Sequence, residues 1–224
     1  MIIKNDITAI KICGLTSVEN ALGVVRLGVD AIGLVFYSES PRNVDLKVAQ
    51  QIVTHLPPFV SSVGLFVNPT QDQVLQTLEL VDLTLLQFHG DEKPDFCSGF
   101  RKPYIKAVRV TDDVDLIEYS SMYAGAGASG LLLDAYSQGA RGGTGETFDW
   151  GLIPSELEIP IVLAGGLTPN NVAKAIDCVR PWAVDVSSGV EGVLKGLKKL
   201  VLVRDFINEV KNADARRLKK TYST

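Results

Sequence analysis

The chain has 224 residues, 46% of them hydrophobic and 21% charged, with a formal net charge of −4 at pH 7. This charge argues against binding to nucleic acid or to an anionic membrane surface, since both need clustered positive charge. Residues 1–12 lack the basic start and apolar core of a signal peptide, and no apolar run is long enough to cross a bilayer. Three cysteines without Cys-x-x-Cys spacing and only two histidines predict a cytoplasmic protein without a metal site.

Eight apolar runs rich in β-branched residues predict eight strands. In chain order they cover residues 9–12, 31–36, 60–67, 83–88, 105–108, 131–133, 159–163 and 183–186. The stretches between them carry apolar residues at helical spacing, most clearly over 18–25 and 172–179. Nearly continuous apolar strands are typical of a parallel sheet that is covered on both faces.

Eight β and α units favour a single-domain (β/α)8 TIM barrel over an open doubly wound sheet, which would show the same alternation. We assign residues 1–211 to the barrel and 212–224 to a basic C-terminal extension. The basic residues of this extension predict a solvated tail; they are Arg216, Arg217, Lys219 and Lys220. Two helix starts are predicted, one from a capping box of Thr16 with Glu19 and one from Thr168 before Pro169.

Two glycine-bearing turns follow the seventh and eighth strands, at 164–167 and 186–189. Glycine lets main-chain N–H groups approach a phosphate closely, and the helices that follow direct their positive ends at it. In a (β/α)8 barrel these two loops lie side by side. The residues predicted to bind phosphate are therefore Gly165, Gly166, Ser187, Ser188 and Gly189.

Cys13 and Asp134 are the candidates for acid and base chemistry, because each ends a predicted strand at the mouth of the barrel. Cys13 precedes the first helix, whose N-terminus favours a thiolate, although a small cysteine also serves as core packing. Asp134 follows an apolar strand, where a carboxylate is costly to bury unless it is paired or used; capping the next turn is its structural alternative. On opposite sides of the mouth, the two would act on one substrate without a metal.

Two further segments leave questions open. Residues 135–148 are rich in glycine and show no helical period, which predicts a mobile lid; they lack the ending of a nucleotide-binding loop. Lys106 lies on the fifth strand, where it either satisfies a buried carboxylate or contacts the ligand.

Several strings at the ends of these strands resemble phosphoribosylanthranilate isomerase, in the same order. They are residues 11–16 (KICGLT), 36–42 (FYSESPR), 87–90 (QFHG), 142–145 (GGTG) with 148–150 (FDW), and 184–191 (VDVSSGVE). The resemblance implies an Amadori rearrangement of N-(5-phosphoribosyl)anthranilate in tryptophan biosynthesis, without a cofactor. It also implies a phosphosugar as the small-molecule partner, and the chain is expected to be a monomer or a homodimer.

The resemblance also implies roles for single residues. Asp134 becomes the general acid that opens the ribose ring, and Cys13 the general base that takes the C2 proton. Arg42 holds the anthranilate carboxylate, since a guanidinium binds both of its oxygens; a surface arginine in a loop is the alternative. Gln87 and His89 line the pocket, with a hydrogen bond from the histidine to a loop carbonyl as the alternative. Asp185 orients a substrate hydroxyl or the amides of the phosphate loop, with a purely structural hydrogen bond as the alternative.

One position departs from the family pattern, because Lys199 stands where many relatives carry Asp after a Gly-x-Lys segment. Two other interpretations share the phosphate loops. An indole-glycerol-phosphate synthase needs a catalytic lysine and an extra N-terminal segment. A non-catalytic phosphosugar-binding barrel has no need of both Cys13 and Asp134 at strand ends.

Overall fold

The computed structural model describes residues 6–111, 113–134 and 150–222. The predicted lid over 135–148 lies outside the described residues. Within the described ranges, every helix is too short or too polar to traverse a lipid bilayer.

Eight parallel strands close into a barrel, each pairing with the next in sequence and the last with the first. The strands are β1 (Ala9–Cys13), β2 (Ala31–Val35), β3 (Ser61–Phe66), β4 (Leu85–Phe88), β5 (Tyr104–Arg109), β6 (Gly130–Asp134), β7 (Ile161–Ala164) and β8 (Ala183–Val186). The prediction of a (β/α)8 barrel is confirmed. At the closing seam Lys11 on β1 is in register with Asp185 on β8.

The described residues form seven α-helices beside these strands. They are α1 (Val18–Val25), α2 (Leu46–Thr54), α3 (Gln71–Leu80), α4 (Pro94–Ser98), α5 (Leu116–Gly125), α6 (Val172–Val179) and α7 (Leu200–Tyr222). Short 3-10 turns follow at Trp150–Leu152 and Ser188–Val190. The main core is formed by the outward faces of the strands and the inner faces of the helices, such as Ala21 on α1 and Ile176 on α6.

Both predicted helix starts are wrong by a short distance. Helix α1 is capped by Ser17, whose side chain accepts from the Asn20 amide, because the Thr16 hydroxyl instead donates to the carbonyl of Gly196 at 3.0 Å. Residues Thr168 and Pro169 form a turn rather than the first turn of α6, which begins at Val172. The carbonyl of Thr168 accepts from the Val172 amide at 3.1 Å, which joins this turn to the helix.

The boundary drawn at residue 211 falls within α7. Ala213 and Asp214 are buried, and both carboxylate oxygens of Asp214 accept from Thr8, from its amide at 2.7 Å and from its hydroxyl at 2.8 Å. The second half of α7 thus anchors the residue that precedes β1.

Candidate active site

A cavity of about 380 Å³ opens at the carboxyl ends of the strands, a size suited to a small ligand. Ten of the eleven predicted site residues line it, and Gly189 does not. The ten are Cys13, Arg42, Gln87, His89, Asp134, Gly165, Gly166, Asp185, Ser187 and Ser188. The sequence therefore correctly predicted that these residues, far apart along the chain, line a single cavity at the mouth of the barrel.

Cys13 and Asp134 reach this cavity from the ends of β1 and β6. Round the closed barrel β7 and β8 lie between these two strands, so the two side chains reach the cavity from strand ends three positions apart. Between them lie the two strands whose turns carry the predicted phosphate site. The turns predicted to bind phosphate therefore lie between the candidate acid and the candidate base.

The thiol of Cys13 is buried, and glycine on the next strand makes room for it. A side-chain carbon at Gly33 would lie 2.6 Å from Cys13 Sγ and 3.0 Å from Cys13 Cα. Burial raises the pKa of the thiol, and the nearby ammonium groups of Lys11 and Lys198 act in the opposite direction. Helix α1 begins at Val18, after the loop that Cys13 opens, and the help from its N-terminus to the thiolate stays a prediction.

Lys11 is a site residue that sequence reasoning missed. Its ammonium lies inside the barrel, 2.7 Å from Asp185 Oδ2, and both side chains are more than nine-tenths buried. Burial alone would lower the pKa of Lys11, but the charges of Asp185 and Cys13 outweigh it and the pKa is raised. The alternation of side chains along β1, which puts Lys11 and Cys13 on one face, was the available signal.

Gln87, His89 and Asp134 form a polar chain along one wall of the cavity. Gln87 Nε2 lies 2.9 Å from His89 Nδ1, and His89 Nε2 lies 3.4 Å from Asp134 Oδ2. With the amide nitrogen donating to Nδ1, the ring proton lies on Nε2 and points to the carboxylate. His89 thus contacts the side chain proposed as the acid.

Lys106 lies on the outward face of β5, between the strands and the helices, and does not line the cavity. Its ammonium lies 3.3 Å from Glu92 Oε2 and donates to the carbonyl of Gly90 at 2.6 Å. Both charged side chains are almost completely buried. Of the two interpretations left open for Lys106, the structure favours the buried carboxylate.

Arg42 enters the cavity from the loop after β2 with one edge of its guanidinium already paired. Its Nε and Nη2 donate to the two oxygens of Glu191 at 2.8 and 2.7 Å. Glu191 also accepts from Lys198 Nζ at 2.8 Å. Neither Glu191 nor Lys198 was predicted as a site residue, although Glu191 ends one of the recognised strings.

The two glycine-bearing turns pack directly against each other. Gly165 and Gly166 have φ values of 84° and 63°, which side chains other than glycine rarely adopt. A side-chain carbon at Gly189 would collide with the main-chain carbonyl oxygen of Leu167. Gly189 is thus required by the approach of one turn to the other, whereas Gly165 and Gly166 face the cavity.

A closed (β/α)8 barrel with carboxylate, thiol, imidazole and guanidinium groups gathered at the carboxyl mouth defines a barrel enzyme with its active site in that mouth. The sequence model described as N-(5′phosphoribosyl)anthranilate (PRA) isomerase matches residues 10–209. The chain belongs to this family.

Individual relatives agree with this assignment. The N-(5′-phosphoribosyl)anthranilate isomerase of Pseudomonas aeruginosa strain LESB58 is 53% identical over 203 residues, covering 91% of this chain and 95% of the relative. That of Alcanivorax borkumensis is 51% identical over 208 residues, covering 90% and 94%.

Solved structures are similar over the same span. Phosphoribosyl anthranilate isomerase from Thermotoga maritima superposes with a TM-score of 0.82 at 40% identity, covering 92% of this chain and all of that one. A phosphoribosyl anthranilate isomerase in complex with reduced 1-(o-carboxyphenylamino)-1-deoxyribulose 5-phosphate gives 0.78 at 39% identity, with 92% and 100% coverage.

Proposed function

We propose that this chain isomerises N-(5′-phosphoribosyl)anthranilate to 1-(2-carboxyphenylamino)-1-deoxyribulose 5-phosphate in tryptophan biosynthesis, with Cys13 as general base and Asp134 as general acid. The observation that carries the roles is the placement of both side chains on one cavity, on either side of the strands that end in the glycine-bearing turns. A substrate held by its phosphate at those turns extends its sugar between the two groups.

The reaction needs one acid and one base. Asp134 gives a proton to the ring oxygen of the ribose while the amine lone pair forms a C1–N double bond, so that the C1–O bond breaks. The Cys13 thiolate then takes the C2 proton, and the C2–H electrons form the C1–C2 double bond of an enolamine as the iminium is neutralised. Protonation at C1 and loss of the C2 hydroxyl proton give the ketone, so hydrogen moves from C2 to C1 and no external oxidant is used.

To act as a base, the Cys13 thiol must lose its proton while it is buried in the protein. Burial raises the pKa of the thiol, while Lys11 and Lys198 stabilise the negative charge that the thiolate carries. The phosphate and carboxylate of the substrate bring further negative charge into the mouth. Arg42 meets the carboxylate through the guanidinium N–H groups that Glu191 does not use.

Two buried acceptors support a ligand with hydroxyl groups. Among the described residues, Gln87 Oε1 and Asp185 Oδ1 have no hydrogen-bond partner, and both side chains line the cavity. Since a buried acceptor without a donor costs about 1–3 kcal/mol, a ribose hydroxyl at each is favourable. Gln87 and Asp185 therefore act as substrate-binding residues in this proposal.

The test is turnover of freshly generated phosphoribosylanthranilate, followed by loss of anthranilate-type fluorescence. Cys13→Ala and Asp134→Asn are each expected to lower kcat by about 10²- to 10⁴-fold, the usual contribution of one acid or base. Cys178→Ser is the matched control, because this cysteine is exposed. Folded wild type without turnover would refute the function, whereas near-normal kcat in one variant would remove only that residue from the mechanism.

We place this activity in the cytoplasm, in keeping with three unpaired cysteines. The expected assembly is a monomer or a homodimer. Sedimentation at several concentrations distinguishes these two states, and a larger assembly would contradict the expectation.

A further inference from the structure

Glu191 binds Arg42 directly and reaches the turn after β8 through Lys198. Its carboxylate accepts four hydrogen bonds, and the donors belong to three residues in two segments of the chain. They are Arg42 Nε (2.8 Å), Arg42 Nη2 (2.7 Å), Lys198 Nζ (2.8 Å) and the Gly196 amide (3.0 Å). The first two reach it from the loop after β2, and the last two from the segment before α7.

This carboxylate is charged and fixed in place. The side chains of Glu191 and Lys198 are 1% and 0% exposed, and that of Arg42 is 20% exposed. Burial raises the pKa of Glu191, but the hydrogen bonds from Arg42 and Lys198 outweigh it and bring the pKa to about 2. A buried charge with this many donors restricts the rotamers of both cations that it binds.

Lys198 extends the network to the turn after β8. Its ammonium lies 3.2 Å from both the carbonyl oxygen and the hydroxyl oxygen of Ser187. Its main chain is held in turn by Asn20, which accepts from the Lys198 amide at 2.8 Å and donates to its carbonyl at 2.9 Å. The ammonium is therefore placed by α1 and by Glu191 together.

We propose that Glu191 is a positioning residue that holds the Arg42 guanidinium in the orientation that binds the substrate carboxylate, and that it fixes Ser187 in the phosphate turn through Lys198. The inference rests on the proposed function. Guanidinium has five N–H donors, of which Glu191 engages one on Nε and one on Nη2. The remaining N–H groups, on Nη1 and Nη2, form a second edge that suits another carboxylate.

The alternative is that Glu191 masks the charge of Arg42 and competes with the substrate. The two roles predict opposite changes when the charge of Glu191 is removed. A positioning carboxylate that is lost weakens recognition of the substrate carboxylate, whereas the loss of a masking carboxylate strengthens it.

The experiment measures, in each variant, how much one carboxylate of the ligand contributes to binding, as the ratio of two dissociation constants. The probes are reduced 1-(o-carboxyphenylamino)-1-deoxyribulose 5-phosphate and the same compound without its ring carboxylate, each titrated calorimetrically. In wild type the missing carboxylate weakens binding by about 10- to 100-fold, as expected for charge-assisted hydrogen bonds. In Glu191→Gln we expect this ratio to fall below about threefold, close to the ratio in Arg42→Gln.

Two more variants keep the test decisive. Glu39→Gln removes an exposed carboxylate from the loop that carries Arg42 and should keep the wild-type ratio. Glu191→Asp keeps the charge on a shorter side chain, so positioning predicts a reduced ratio here too, even if Glu191→Gln fails to fold. An unchanged or larger ratio in the folded Glu191 variants would overturn the inference.

Failure of the proposed function gives a different pattern. If wild type binds neither probe and does not turn over phosphoribosylanthranilate, the substrate assignment is wrong. If wild type is active but Arg42→Gln keeps the full ratio, the carboxylate lies elsewhere and Glu191 has no role in its recognition. A supporting result also includes a higher KM in Glu191→Gln with kcat within about threefold of wild type, the signature of lost ground-state binding.

Discussion

Replacing Lys11 with methionine should destabilise the barrel strongly, because it leaves a buried carboxylate without its counter-ion. Methionine is close in volume to the lysine stem, so packing inside the barrel is largely kept. What is lost is the 2.7 Å contact between Lys11 Nζ and Asp185 Oδ2 at the seam of β1 and β8.

The magnitude follows from the burial of both partners, whose side chains are 5% and 7% exposed. Breaking a buried ion pair on one side costs about 3–5 kcal/mol, against a total of about 5–15 kcal/mol for a typical domain. For a chain of this length such a loss lowers Tm by about 6 to 20 °C. We therefore expect a folded variant with much reduced stability.

Urea unfolding at pH 7 measures the effect, with Lys11→Met compared to Lys47→Met, whose ammonium is exposed. The control should stay within about 0.5 kcal/mol of wild type. The double variant Lys11→Met/Asp185→Asn removes the stranded charge and should recover about 1–3 kcal/mol relative to Lys11→Met. Asp185→Asn alone completes the cycle. If the losses in free energy of unfolding of Lys11→Met and Asp185→Asn simply add in the double variant, the ion pair does not stabilise the seam and the reasoning fails.

Three further changes test other parts of the structure. Gly189→Ala should lower the free energy of unfolding by about 1–3 kcal/mol and raise KM, because the new methyl group collides with the Leu167 carbonyl. Gly192→Ala is the control, since a methyl group there meets open space. Equal urea midpoints for the two variants would contradict the clash. Ser17→Ala should lower the free energy of unfolding by about 1 kcal/mol through loss of the α1 cap, and an unchanged value would rule out that cap. Glu191, with its pKa lowered from 4.5 to about 2, contributes stability that is complete above pH 4.5 and lost as pH falls toward 2. Wild type should therefore lose about 3 kcal/mol more than Glu191→Gln over that interval, and parallel acid curves would refute this.

The parts of the fold that sequence reasoning identified depend on local pattern. Each strand is an apolar run with its own boundaries, and Cys13 and Asp134 were found because they end such runs. The repeat then implied that strand ends share one mouth, which brought the turns at Gly165 and Ser187 together. The cavity lining confirms that placement, while the catalytic and binding roles stay predictions.

The parts that were missed depend on how distant strands align. Lys11 and Asp185 are 174 positions apart and meet only because β1 and β8 close the barrel in one particular register. Arg42 and Glu191 are 149 positions apart, and neither residue alone indicates a partner. The predicted start of α1 was wrong for a local reason. Thr16 and Ser17 both carry a hydroxyl that can cap a helix, and the hydrogen bond from Thr16 to Gly196 leaves Ser17 as the cap.

The seam between β1 and β8 also determines when the barrel can close during synthesis of the chain. Until the ribosome has released β8, β1 and β7 are open edges of a parallel sheet, and unpaired edges invite association with other chains. Cys13 is made early, but Asp185, Ser187 and Lys198, which complete its surroundings, are made near the end. The nascent chain therefore has an incomplete site and two unpaired sheet edges until β8 is made, and closure of the barrel completes both.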